Sequence, residues 1–147
     1  MKLSSPHFID GSAIPSLYTC QGANRSPALR FEDVPSNAQS LALIVDDPDA
    51  PMETWTHWTL WNLAANTQEL PEGHQAPAPA VEGKTDFGTN GYGGPCPPSG
   101  NHRYFFKLYA LSTVLDLSQD SNPLELAKDM EGKILATAVL MGTYQKI

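Results

Sequence analysis

Apolar positions along the chain fall into short runs broken by clusters of Pro, Gly and Asp, and helical spacing survives in one stretch, from 122 to about 135. Residues 40–46 form a brief apolar run, 54–63 are rich in Trp and Thr, and 102–113 are rich in aromatics. With turn-forming flanks on each, these segments predict three central strands of a mostly β protein. Side chains in an extended chain alternate between faces, so His102, Tyr104, Phe106 and Leu108 share one side of the third strand. Arg103, Phe105, Lys107 and Tyr109 share the other, and apolar groups on both sides predict a strand covered on both. The same alternation places His57 on one face with Trp55 and Thr59.

Asn122-Pro123-Leu124-Glu125 has the form of a helix start, with a capping Asn, Pro at the first position and Glu three residues after the cap. Leu124, Leu126 and Met130 follow until Gly132, and 134–144, with Thr137, Val139 and Thr143, predict a final strand. Residues 66–82 run into a Pro/Ala-rich segment without period, expected as a surface connection. With no internal repeat, residues 1–147 are expected to form a single domain.

Composition narrows the function more than the fold. Lys and Arg number 9 against 16 Asp and Glu, a net charge of −7, so nothing steers this chain to nucleic-acid phosphates. The imbalance lies in residues 1–74, so an anion site should draw on the second half. No apolar run approaches the length of a membrane span, and residues 1–7 lack a secretory signal's apolar core, which points to the cytoplasm. Cys20 and Cys96 form no C-x-x-C pair; reduced thiols are the default expectation, with pairing possible.

Three features carry candidate chemistry. Asp46-Asp47-Pro48-Asp49-Ala50-Pro51 closes a strand with carboxylates held in set directions by two prolines, and Ala50–Pro51 is a candidate cis bond. His57 and His102 each sit in a predicted strand, with Tyr104 on the face of His102. Residues 88–100, rich in Gly and Pro, form a loop whose N–H groups could point together at an anion. Gly83-Lys84-Thr85 imitates the end of a nucleotide-binding loop, but Ala78 stands where the first glycine should be. No nucleophile elbow, zinc-protease motif or Cys–His pair is present, so no cofactor, metal or catalytic group is assigned.

Asp47-Pro48-Asp49-Ala50-Pro51, then His57 followed by Asn62, then Gly94-Pro95 before His102-Arg103-Tyr104, resembles the phosphatidylethanolamine-binding protein family in order and spacing. The likeness runs from about Tyr18 to Tyr144. Thr54-Trp55-Thr56-His57-Trp58 and Gly94-Pro95-Cys96-Pro97-Pro98 resemble its bacterial and archaeal branch, the Raf kinase inhibitor-like proteins. Residues 144–147 leave no room for the C-terminal helix of animal members. Met52 stands where those members place a tyrosine, and Trp55 is the candidate replacement for its aromatic wall.

The resemblance implies an antiparallel β-sandwich with short peripheral helices and a small pocket at one end of the large sheet. Its ligand-binding residues would be Asp47, Asp49, Pro51, His57, Gly94, His102 and Tyr104. It implies a non-enzymatic binder of phosphate, phosphoethanolamine or lipid head groups, with protonated histidines and loop N–H groups facing the anion. One aspartate would orient a histidine and another would accept from a ligand ammonium or hydroxyl. Other readings are inhibition of a kinase or protease through the pocket rim, and a metal-assisted phosphoester hydrolase. Family analogy also suggests a homodimer.

Overall fold

A computed structural model describes residues 1–73 and 77–147; positions 74–76, inside the Pro/Ala-rich connection, lie outside the described residues. The strands are β1 (Lys2–Ser4), β2 (Leu29–Glu32), β3 (Ser40–Asp47), β4 (Trp55–Leu63), β5 (Glu69–Leu70), β6 (Val81–Glu82), β7 (His102–Leu111) and β8 (Ile134–Tyr144). Helix α1 (Pro123–Met130) lies between the last two. Two antiparallel sheets result, one ordered β1-β2-β5 and the other β6-β4-β3-β7-β8. The predicted mostly β, two-sheet architecture is the observed one.

The main core lies between the sheets. Leu3, Leu29, Phe31 and Leu70 from the small sheet meet Leu41, Leu43, Val45, Trp58, Phe106, Leu108 and Leu140 from the large one. The outer face of the large sheet buries Ala42, Ile44, Trp61 and Leu111 beneath Leu115 and Leu126 and Met130 of α1. That cover is partial: Phe105, Lys107 and Tyr109 are only half-buried and Arg103 is exposed, so β7 is sealed on one side and half-open on the other. No helix among the described residues is long and apolar enough to cross a membrane.

Helix α1 starts as expected. Asn122 Oδ1 accepts from the Glu125 N–H at 2.8 Å while Glu125 Oε1 accepts from the Asn122 N–H at 3.1 Å, a reciprocal cap whose Asn contributes about 1 kcal/mol. The helix ends at Met130, and Gly132, at φ +76°, takes the left-handed turn that releases the chain into β8, which spans the expected 134–144.

Two irregularities in β4 decide which way its side chains point. Val45 pairs with Trp58 but Asp46 pairs with Thr56, so His57 is an extra residue in the ladder. A second break lies between the Leu41–Leu63 and Leu43–Leu60 pairs, where Asn62 adopts φ +57° and bonds both ways with the Leu115 backbone, at 2.8 Å each. Simple alternation put Thr59 beside His57; the bulge moves Thr59 opposite Ile44 on the outer side and leaves His57 turned inward with Trp58.

Candidate functional site

Antiparallel order brings the end of β3 and the beginnings of β4 and β7 to the same end of the large sheet. Asp47 closes β3, His57 lies on the β4 bulge, and His102 and Tyr104 open β7. These four, with Pro51, line a cavity of about 350 Å³ walled by Ala50, Trp55, Phe87, Cys96, Pro97 and Pro98. Trp55 takes the wall position expected of it, packed edge to face on Phe87 at 5.5 Å. Phe87 itself carries no sequence signal, since nothing in its neighbourhood announces contact with β4.

Asp47 is the hinge between turn and pocket. Its Oδ1 accepts from the Asp49 N–H at 2.8 Å, the ordinary aspartate turn bond, and its Oδ2 accepts from His102 Nδ1 at 2.7 Å. A carboxylate only accepts, so His102 Nδ1 carries a proton and Nε2 is the atom left for a ligand. His57 repeats the pattern with a carbonyl: its Nδ1 donates to Gly93 O at 2.7 Å, and the Gly93 N–H returns a bond to His57 O at 2.9 Å. Burial pushes the pKa of His57 below its ordinary value, against the opposing pulls of the Gly93 carbonyl and the Asp47 charge. The expectation of a protonated imidazole is therefore revised for His57.

Tyr104 is 1% exposed, and its hydroxyl lies toward the Asp47 carboxylate and the Cys96 backbone without forming a hydrogen bond of ordinary geometry among the described residues. Burial, followed by the charge of Asp47, raises its pKa, so the phenol keeps its proton and remains a donor. The Tyr104 ring meets His57 edge to face at 5.2 Å.

Two predicted site residues do not line the cavity. Asp49 turns outward to Arg103, taking its Nη2 at 2.8 Å, its Nε at 2.9 Å and its backbone N–H at 2.9 Å. Those bonds hold the Asp49 carboxyl down to about 2, and the side chain is committed as a structural clamp. Gly94 is buried outside the hollow, its N–H given to Asn24 Oδ1 at 2.8 Å. The glycine loop thus spends the N–H groups of Gly93 and Gly94 on the protein.

Gly94 is required for close approach: a Cβ there would overlap Asn24 Oδ1 and the Tyr18 carbonyl oxygen. The same loop is tied to residues 18–24 by Cys20 N–H to Pro95 O at 3.1 Å, by Tyr92 Oη to Tyr18 O at 2.7 Å and by a Cys20–Cys96 disulfide. The bridge replaces the reduced thiols expected by default. Ala50–Pro51 is trans, and the cis X–Pro bond among the described residues is Ala78–Pro79. No three His, Cys, Asp or Glu side chains among the described residues gather as a metal-holding group. Asp46 and Asp49 are instead paired with Lys107 and Arg103.

A family model described as phosphatidylethanolamine-binding protein matches residues 4–145. A UPF0098 protein of Methanothermobacter thermautotrophicus is 48% identical over 150 residues, covering 99% of each chain. One from Chlamydia pneumoniae is 49% identical over 151 residues, again covering 99% of each. Among solved structures, a phosphatidylethanolamine-binding protein homologue of Chlamydia trachomatis superposes with a TM-score of 0.95 at 45% identity, covering 99% of this chain and 97% of that one. Escherichia coli YbcL, described as a member of the mammalian family, gives 0.93 at 33% identity, covering 99% and 98%. The chain belongs to the phosphatidylethanolamine-binding protein family.

Proposed function

We propose that this protein binds small phosphate-like anions, inorganic phosphate or a head group such as phosphoethanolamine, between His57, His102 and Tyr104, without turnover. One observation carries the reading: a buried tyrosine hydroxyl that forms no hydrogen bond of ordinary geometry among the described residues, with only the Asp47 carboxylate and the Cys96 backbone near it, belongs to a residue lining a hollow that two fixed imidazoles also line. A buried donor left alone costs about 1–3 kcal/mol, a cost that a bound oxyanion removes. The apolar wall suits the ester substituent of such an anion, and the aspartates contribute by orientation: Asp47 through His102, Asp49 by clamping the turn.

Calorimetric titration with phosphoethanolamine tests this on the wild type and on Tyr104→Phe. Removing an unpaired hydroxyl should leave thermal stability unchanged or slightly raised, while affinity falls about tenfold, the loss of one charged hydrogen bond. Undiminished affinity in that variant, or no saturable binding by the wild type, would end the reading.

A second reading, inhibition of a partner kinase or protease through the pocket rim, draws on the fully exposed Met52 next to Pro51 and on the half-exposed Phe87. A partner captured from native extract and released by phosphoethanolamine supports it. A cytoplasmic place of action stands against the Cys20–Cys96 bridge, which a strongly reducing compartment would open. Thiol trapping in intact cells decides between them.

A further inference from the structure

The polar atoms that the cavity offers are not those of a general anion trap. His57 Nδ1 is held at 2.7 Å by a carbonyl and His102 Nδ1 at 2.7 Å by a carboxylate. Both partners only accept, so in each neutral ring the proton lies on Nδ1 and the atom left for a ligand, Nε2, is a lone pair. The groups facing His57 complete the picture. Strand β3 contributes the carboxylates of Asp47 and Asp46, the latter paired with Lys107 at 2.9 Å, and β7 contributes Tyr104 and His102. The loop side contributes the Gly93 carbonyl, the Phe87 ring and the nontitrating Cys20–Cys96 bridge, while Arg103 is engaged by Asp49. His57 is 4% exposed, so an imidazolium there would have to be desolvated.

Sulfate, or a phosphate dianion, can only accept hydrogen bonds. In this hollow it finds the Tyr104 hydroxyl as donor, but at His57 one of its oxygens meets another lone pair. An anion that keeps one proton meets the demands of both His57 and Tyr104.

We propose that the cavity selects oxyanions that carry a proton of their own, hydrogen-phosphate monoesters in preference to sulfates: the ligand O–H donates to His57 Nε2 while another ligand oxygen accepts from Tyr104. This rests on the anion-site reading above and adds its ligand class.

The decisive pair is methyl phosphate and methyl sulfate at pH 5, titrated calorimetrically into the full chain. The two have similar shape and both are monoanions there, but only the phosphate bears a proton, its second ionisation lying near pH 6. Methyl phosphate should bind at least about tenfold more tightly, the factor expected for one hydrogen bond involving a charged partner. Its affinity should then fall about 100-fold by pH 8 as the monoanion disappears. A His57→Gln variant, whose amide can donate, should bring the two ligands within about threefold of each other.

Methyl sulfate binding at pH 5 as tightly as methyl phosphate would overturn the selectivity and leave the anion site standing. Binding of neither ligand would overturn both.

Discussion

The Cys20–Cys96 bridge joins positions 76 residues apart and forms part of the pocket wall, so opening it tests whether the bridge serves the fold or the site. A cross-link over that span removes enough chain entropy from the unfolded state to stabilise the fold by about 4.5 kcal/mol at most. The native loop is held independently: Gly94 to Asn24, Cys20 to Pro95 and Tyr92 to Tyr18 form three hydrogen bonds of 2.7–3.1 Å across the same seam. At about 1 kcal/mol each these outweigh local thermal opening without any covalent link. Reduction with a dithiol, or the Cys20→Ser/Cys96→Ser double variant, should therefore lower the urea midpoint by about 2 M, given an m-value of about 2 kcal/mol/M. Phosphoethanolamine affinity, measured on the same samples where the protein remains folded, should change less than about threefold. An unchanged midpoint with collapsed affinity would refute this reasoning and make the bridge a determinant of pocket geometry.

Gly94→Ala should lower stability by about 1–3 kcal/mol, measured by urea unfolding, because its Cβ has backbone on one side and the Asn24 amide on the other; a neutral effect would contradict the close packing. The Asp49 carboxyl ionises at about 2 in the fold against an ordinary 3.8, so its contribution is complete above pH 4 and is lost as pH falls toward 2. Asp49→Asn should flatten the acid limb of the stability–pH profile in that window; an unchanged limb would show that the Arg103 clamp contributes nothing.

The strands, the helix cap and the family resemblance were legible because they rest on local rules: turn residues at strand ends, aromatic and β-branched content between them, and Asn-Pro-x-Glu at a helix start. What escaped depends on a count that composition does not carry. One extra residue in β4 turns His57 and Trp58 to the same side, and period-2 reasoning then misplaces Thr59. Asp47 and Asp49, two apart, look alike in the chain, yet one faces His102 and the other Arg103 because the turn between them reverses the direction in which a carboxylate points. Glycine N–H groups that seemed available were claimed by Asn24 and by His57 O, the first 70 residues distant in the chain. Asn62 did carry a signal, since Asn tolerates the left-handed backbone that the second bulge requires.

The proposed site requires distant segments to meet around one oxyanion. A crystal structure determined with methyl phosphate at pH 5 tests it most directly. The phosphoryl group should lie in the hollow, with separate oxygens within hydrogen-bond distance of His57 Nε2 and Tyr104 Oη and the methyl group against Trp55 or Phe87. A hollow without the anion under saturating ligand, or an anion held there by neither of those atoms, would contradict it.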